Sequence, residues 1–109
     1  MRALKTKDLF SMGRIISKTN IKADLRAIAE GKDDKMSKGI DFILAIVTNV
    51  SDKAVERELY AFIADVLEDD EENIINSDPF VLLERLTKGE GSKQWADFFT
   101  KVYQLIAAR

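Results

Sequence analysis

Apolar residues recur along most of this chain three, four and seven positions apart, which is the spacing of one buried face of an α-helix. The stretch after Asp52 shows this spacing most clearly, and Asp52 is itself a typical N-cap residue. The apolar stripe there consists of Val55, Leu59, Phe62, Ile63 and Val66. This pattern predicts a helix from Lys53 to about Leu67.

Five further segments follow the same rule, so the chain is predicted to form about six helices and no strand. Their starts are marked by residue types that favour the first turn of a helix, namely Thr6, Asn20, Ser37, Ser77-Asp78-Pro79 and Ser92. The predicted helices cover Lys7–Lys18, Ile21–Glu30, 38 to about 50, Pro79–Lys88 and Lys93–Ala108. The predicted fold class is therefore all-α, as a single compact domain over residues 1–109 with an irregular, orthogonal bundle.

The third of these helices is apolar around more than half of its circumference, so we expect it at the centre of the bundle. Its apolar residues are Ile40, Phe42, Ile43, Leu44, Ile46, Val47 and Val50. In the last two helices, Trp95 and Phe99 are expected in the core, and Phe80 and Leu105 are expected to face inward. Gly13, in the middle of the first helix, is expected to permit a close helix crossing.

Composition narrows the chemistry that this chain can perform. It has 109 residues, of which 46% are apolar and 33% charged, and it contains neither cysteine nor histidine. Disulfides, thiolate metal sites and a Ser-His-Asp catalytic triad are therefore excluded. We expect no enzymatic activity and no cofactor. The longest apolar block, Phe42 to Val47, is six residues, so we also expect a cytoplasmic protein with no membrane span or signal peptide.

The net charge of −2 is unevenly distributed, with +5 on residues 1–38, −10 on 39–84 and +3 on 85–109. This division is consistent with self-association of basic ends with the acidic middle, or with oppositely charged helices packed side by side. Residues 68–72 are all acidic, but they lack the glycine and the alternation of a calcium loop. They are interpreted as a solvated loop or as the first turn of a short helix over Glu71–Asn76. The basic residues near the N-terminus accompany no nucleic-acid-reading motif, so no nucleic-acid partner is expected.

Apolar residues at the margins of the helical stripes are the candidates for contact with a partner protein, because aromatic and large aliphatic side chains dominate interfaces. They are Phe10, Ile15, Tyr60, Leu67 and Tyr103.

Three segments together carry a resemblance to a known family. They are residues 4–18, which contain Leu4-Lys5-Thr6-Lys7-Asp8-Leu9-Phe10; residues 39–44 leading to Glu58-Leu59-Tyr60-Ala61-Phe62-Ile63-Ala64-Asp65; and Asp97-Phe98-Phe99. The chain resembles the tail assembly chaperones of long-tailed phages and prophages of Gram-positive bacteria.

The resemblance implies a protein that binds the long helical tape measure protein in the host bacterial cytoplasm and keeps its apolar seams from aggregating. It also implies a longer, frameshifted form that recruits tail tube protein, and absence from the mature virion. Two other hypotheses are kept from the same residues. One is a structural tail or neck component, and the other is a small helical regulatory adaptor.

Overall fold

A computed structural model describes residues 1–107, and within these residues the chain forms helices and no strand. The helices are α1 (Thr6–Ser17), α2 (Lys22–Glu30), α3 (Lys35–Asn49), α4 (Lys53–Leu67), α5 (Glu71–Ile75), α6 (Pro79–Thr87) and α7 (Gly91–Ala107). The prediction of an all-α fold is confirmed. The radius of gyration of 12.9 Å is about that of a compact domain of this size.

The starts of α4 and α6 lie where the sequence places them. The carboxylate of Asp52 accepts a hydrogen bond from the backbone N–H of Ala54 at 2.7 Å, and that of Asp78 accepts one from Phe80 at 2.8 Å. The short helix α5 begins at Glu71, so the acidic run supplies its first turn. The prediction of six helices was one short of the seven found in residues 1–107, because five residues are too few to show a helical period.

Two predicted N-caps lie inside their helices. Thr6 is the first residue of α1, where the carboxylate of Asp8 instead accepts from the backbone N–H of Lys5 at 2.7 Å. Ser37 lies in the first turn of α3, because Asp34 caps that helix by accepting from the Ser37 N–H at 2.9 Å. In both cases a carboxylate three residues away accepts from a free backbone N–H group at the start of the helix, and the predicted hydroxyl does not occupy the cap position.

Asn20 and Ser92 are also not N-caps. The N-cap position of α2 is occupied by Ile21, and Ser92 lies inside α7, where it is buried. Of the last predicted helix, Ala108 lies outside the described residues.

Helices α3 and α7 form the central pair of the bundle and pack along most of their length. Gly39 of α3 lies directly against the backbone of Ser92, so that a Cβ atom on Gly39 would be 1.8 Å from the Ser92 carbonyl oxygen. One turn further along, the rings of Phe42 and Phe99 stack with their centroids 5.1 Å apart. The expected central position of the third predicted helix is therefore confirmed.

Aromatic rings extend this pair into one core. Trp95 stacks on Phe99 at 5.7 Å and meets Phe98 edge to face at 5.6 Å, and Phe62 of α4 joins them 6.0 Å from Trp95. The indole N–H of Trp95 donates to the carbonyl oxygen of Leu86, which ties α6 to α7. No buried side-chain nitrogen or oxygen in residues 1–107 lacks a partner, as expected of a well-formed interior.

The segment before α1 is held to α4 by Arg2. Its guanidinium donates to both carboxylate oxygens of Asp8, at 2.8 and 2.9 Å, and to the carboxylate of Asp65 at 2.7 Å. The backbone N–H of Arg2 donates to the carbonyl oxygen of Val66. Asp8 is 1% exposed, and the hydrogen bonds from Arg2 lower its pKa although burial acts in the opposite direction.

The packing expectations for three residues, Phe80, Leu105 and Gly13, were wrong. Phe80 and Leu105 are 81% and 54% exposed, because the inward sides of α6 and α7 are already occupied by other apolar residues. Leu44 is 45% exposed, so α3 is central but not covered on all sides. Gly13 faces open space, and the close crossing occurs at Gly39 instead.

Gly13 and Gly39, which lie in helix interiors, should respond oppositely to substitution by alanine. We expect Gly39→Ala to lower the free energy of unfolding by about 3 kcal/mol, since the new methyl group must push α7 away. Gly13→Ala should raise it by about 0.5–1 kcal/mol through helix propensity, because nothing lies near the added Cβ. Urea denaturation measures both changes. Equal effects of the two substitutions would contradict the close contact of α3 with α7.

The Arg2–Asp8 pair should make the fold sensitive to acid. The folded-state pKa of Asp8 is below its unfolded value, so the pair stabilises the fold above about pH 4 and this stabilisation is lost as the pH falls through the lowered folded-state pKa. Asp8→Asn should therefore cost about 3 kcal/mol at neutral pH, and the difference from wild type should shrink below about pH 4. Asp33→Asn, at an exposed loop position, is the control. A difference for Asp8→Asn that does not change with pH would contradict this role.

Candidate protein-binding surfaces

The first two predicted partner-contact residues, both on α1, have opposite environments. Phe10 is 65% exposed, so its ring is available to another molecule. Ile15 is 1% exposed and belongs to the core. The expectation that Ile15 lies at an accessible margin was wrong, because α1 turns the side that carries Asp8, Met12 and Ile16 inward and Ile15 falls within it.

The other three predicted residues are half-buried, and all pack against the core with part of the side chain. Tyr60 and Leu67 are seven residues apart on α4 and therefore share a face. The Tyr60 hydroxyl donates to Glu56 at 2.8 Å, and this hydrogen bond raises the pKa of Tyr60. Tyr103 lies on α7. The five residues thus do not form one surface, and only Phe10 is mainly exposed.

The largest apolar feature on one helix is a ridge along α3. Met36, Leu44 and Val47 are 51%, 45% and 52% exposed, and the half-buried Ile40 lies between the first two. Spacings of four, four and three residues place these side chains within an arc of about 80° and along about 16 Å of helix. We call these four residues the α3 ridge. Contiguous exposed apolar surface of this kind marks interaction sites in soluble proteins.

An apolar crevice borders the α3 ridge at Val47. It is lined by Val47, Ile43, Leu59, Leu86 and other core side chains, with no polar residue among them. Its volume of about 20 Å³ leaves room for about one water molecule. The crevice therefore suits the tip of an apolar side chain and not a small-molecule ligand.

A larger, polar cleft of about 340 Å³ lies between α1 and α4 and includes Arg14, Glu58 and Asp65 in its walls. Both carboxylates are paired, Glu58 with Lys18 and Asp65 with Lys7 and Arg2. The hydrogen bond from Lys7, and then that from Arg2, lowers the pKa of Asp65. Three ion pairs along the cleft thus join α4 to α1 and to the residues that flank α1.

A second exposed apolar group lies where α5 meets α6. Ile75 and Val81 are each 52% exposed and Phe80 is 81% exposed. We call these three residues the α5–α6 corner. The helical period alone placed Phe80 inward with Leu83 and Leu86, whereas α6 uses Leu82, Leu83 and Leu86 for that purpose. The signal that could have found the corner is the excess of apolar residues in α6 over what one buried face needs.

Residues 1–107 contain neither a cluster of metal-ligating side chains nor a membrane-spanning helix. No group of three acidic side chains lies close enough together to hold a metal ion. No helix in this part of the chain is long and apolar enough to cross a membrane.

Comparison with family models, curated proteins and solved structures found no match to this chain. Its function is therefore inferred from its own residues and surfaces.

The contrast between Phe10 and Ile15 can be measured directly. Ile15→Ala should lower the free energy of unfolding by about 2–5 kcal/mol, because it leaves a cavity in the core. Phe10→Ala should change it by no more than about 0.5 kcal/mol, as surface substitutions usually do. Thermal or urea unfolding of the two variants gives the comparison. Comparable destabilisation by both would mean that Phe10 contributes to the core and is not free for a partner.

Proposed function

We propose that this protein is a tail assembly chaperone that binds the helical tape measure protein of a long-tailed phage or prophage and keeps it soluble before the tail forms. The observation that carries the proposal is the α3 ridge, an exposed apolar stripe on the central helix. The resemblance of residues 4–18, 39–44, 58–65 and 97–99 to such chaperones supplies the identity of the client.

The shape of the ridge supports binding to a helix. A client helix with apolar residues every three or four positions can lie along the α3 ridge, with side chains of the two helices interdigitating. Val47 borders the apolar crevice, which offers a pocket for one client side chain. Phe10 and the exposed parts of Tyr60, Leu67 and Tyr103 are proposed as further contacts.

The small size of the ridge supports reversible rather than permanent binding. The ridge presents four apolar residues, three of them about half exposed, which is small beside the extensive apolar interfaces of permanent complexes. A client bound this way is released when tail tube protein competes for it. A longer, frameshifted form of the chain would bring tail tube protein to the client, and the chaperone would then be absent from the finished particle.

Co-expression with the tape measure protein encoded downstream in the same genome tests the proposal. We expect the tape measure protein to become soluble and to co-purify with the chain. The double variant Leu44→Gln/Val47→Gln should lose most of this effect, because glutamine preserves helix propensity but removes the apolar contact. Leu105→Gln, which removes an equally exposed apolar side chain from α7, should retain it.

Two results would contradict the proposal. One is a tape measure protein that stays insoluble and unbound. The other is detection of the chain in purified virions, which would instead favour a structural tail or neck component. A melting temperature of the double variant close to that of wild type shows that any lost binding is not unfolding.

A further inference from the structure

The α5–α6 corner is displayed by a rigid part of the fold. Asp78 caps α6 by accepting from the backbone N–H groups of Phe80 and Val81 at 2.8 and 3.2 Å, and Pro79 fixes the first helical residue. At the other end of α6, Leu86 is buried, and its carbonyl oxygen accepts a hydrogen bond from the indole N–H of Trp95. Phe80 is therefore held outward at the start of an anchored helix. An aromatic side chain with two χ angles on a fixed backbone loses little conformational entropy on binding.

The inward contacts of α6 do not require Phe80 or Val81. Leu82 and Leu83 pack against the core and Leu86 lies within it. Two exposed apolar residues beside this complete inner face are surplus to folding. Exposed aromatic residues of this kind are the usual anchors of protein interfaces.

Acidic residues precede and follow the α5–α6 corner in the sequence. Residues 68–84 contain seven acidic residues and no lysine or arginine. Asp69 pairs with Arg85 at 3.0 Å. Within residues 1–107, the other six form no ion pair, and all six are exposed: Glu68, Asp70, Glu71, Glu72, Asp78 and Glu84. The α3 ridge has far fewer acidic residues nearby in the sequence, since Asp41 is the one acidic residue between Met36 and Val47.

An apolar centre with carboxylates on both sides is complementary to one kind of helix. That helix has an apolar stripe with lysine or arginine along its two edges. We propose that the α5–α6 corner is a second docking site, separate from the α3 ridge, which binds a cationic amphipathic helix with Phe80 as its apolar anchor.

A second copy of this chain fits the corner less well. In the basic N-terminal part of the chain, residues 1–38, helices α1 and α2 use their apolar stripes internally, because Met12, Ile15, Ile16 and Leu25 are all buried. Phe10 is the large apolar residue that they leave mainly exposed. This part of the chain therefore offers positive charge without the apolar stripe that the corner requires.

Binding of a fluorescent designed helix to the purified chain tests the site without the tape measure protein, so its result is independent of the proposed chaperone function. The probe is an ~18-residue helix of about five turns, with leucine on one face and lysine on the other. The control probe carries glutamate in place of lysine. Fluorescence anisotropy should show binding of the lysine probe only, and raising the ionic strength from about 0.1 M to about 1 M should weaken it.

Variants locate the binding. Phe80→Gln should weaken it by at least about tenfold, whereas Leu105→Gln should change it by less than about twofold. Glu84→Lys should also weaken it, while Asp33→Lys, an equal charge change in an exposed loop, should have a much smaller effect. A melting temperature close to that of the wild type confirms that each variant is folded.

Three results would overturn the proposal. Equal binding to wild type and Phe80→Gln would show attraction to the net charge alone, and no binding of the lysine probe to wild type would remove the site. Sedimentation of the wild-type chain as an oligomer that Phe80→Gln dissociates would show that a second copy covers the corner.

Discussion

The close contact between α3 and α7 at Gly39 and Ser92 determines the rest of the structure. Only a residue without a side chain allows the α3 backbone to approach Ser92 in this way. The same approach brings Phe42 and Phe99 into a stack, and through Phe99 it orders the rings of Trp95 and Phe98. Helices α4 and α6 join the core by their contacts with these rings. A wider separation of the central pair would therefore pull apart the Phe42–Phe99 stack, the aromatic contact that joins α3 to α7.

This contact also explains why α3 has an exposed apolar ridge. The side of α3 that carries Gly39, Phe42 and Ile46 is used entirely by the core. Met36 and Leu44 lie on a different side, where no other helix covers them completely. The ridge is thus part of one of the two helices that form the central pair. A binding surface on such an element needs no ordering when a partner arrives, and less of the interaction energy is lost to entropy.

The sequence predicted the positions of the helices better than the contacts between them. The stripe from Val55 to Val66 and the Asp52 cap together gave α4 with both ends correct, because both signals are local to the helix. The expectation that Gly13 permits a close helix crossing was wrong because such a crossing depends on residues distant in the sequence. Gly13 and Gly39 are both helical glycines, and what distinguishes them is the distant backbone of Ser92, which no local pattern encodes. N-caps failed where Asp8 and Asp34 competed with the predicted hydroxyl caps.

The binding surfaces were predicted only in part for a related reason. Periodicity shows which sides of a helix are apolar, but not how much of that apolar surface its neighbours cover. Phe10 was identified because it lies at the edge of a narrow stripe, whereas Ile15 at the other edge is covered. Helices α3 and α6 have more apolar residues than one buried side can hold, so Leu44 is exposed, and so is Phe80, which was expected inside. In retrospect that excess is the sequence signal for both surfaces.

Methyl NMR with a soluble paramagnetic agent would test the central claim, that the α3 ridge is the surface a helical client covers. In the free chain, the methyl groups of Met36, Leu44 and Val47 should relax rapidly, while those of the buried Met12 and Leu25 should not. In the complex with tape measure protein, the account predicts that the three ridge residues become protected and the buried ones stay unchanged. Ridge methyl groups that remain equally accessible in the complex would contradict it.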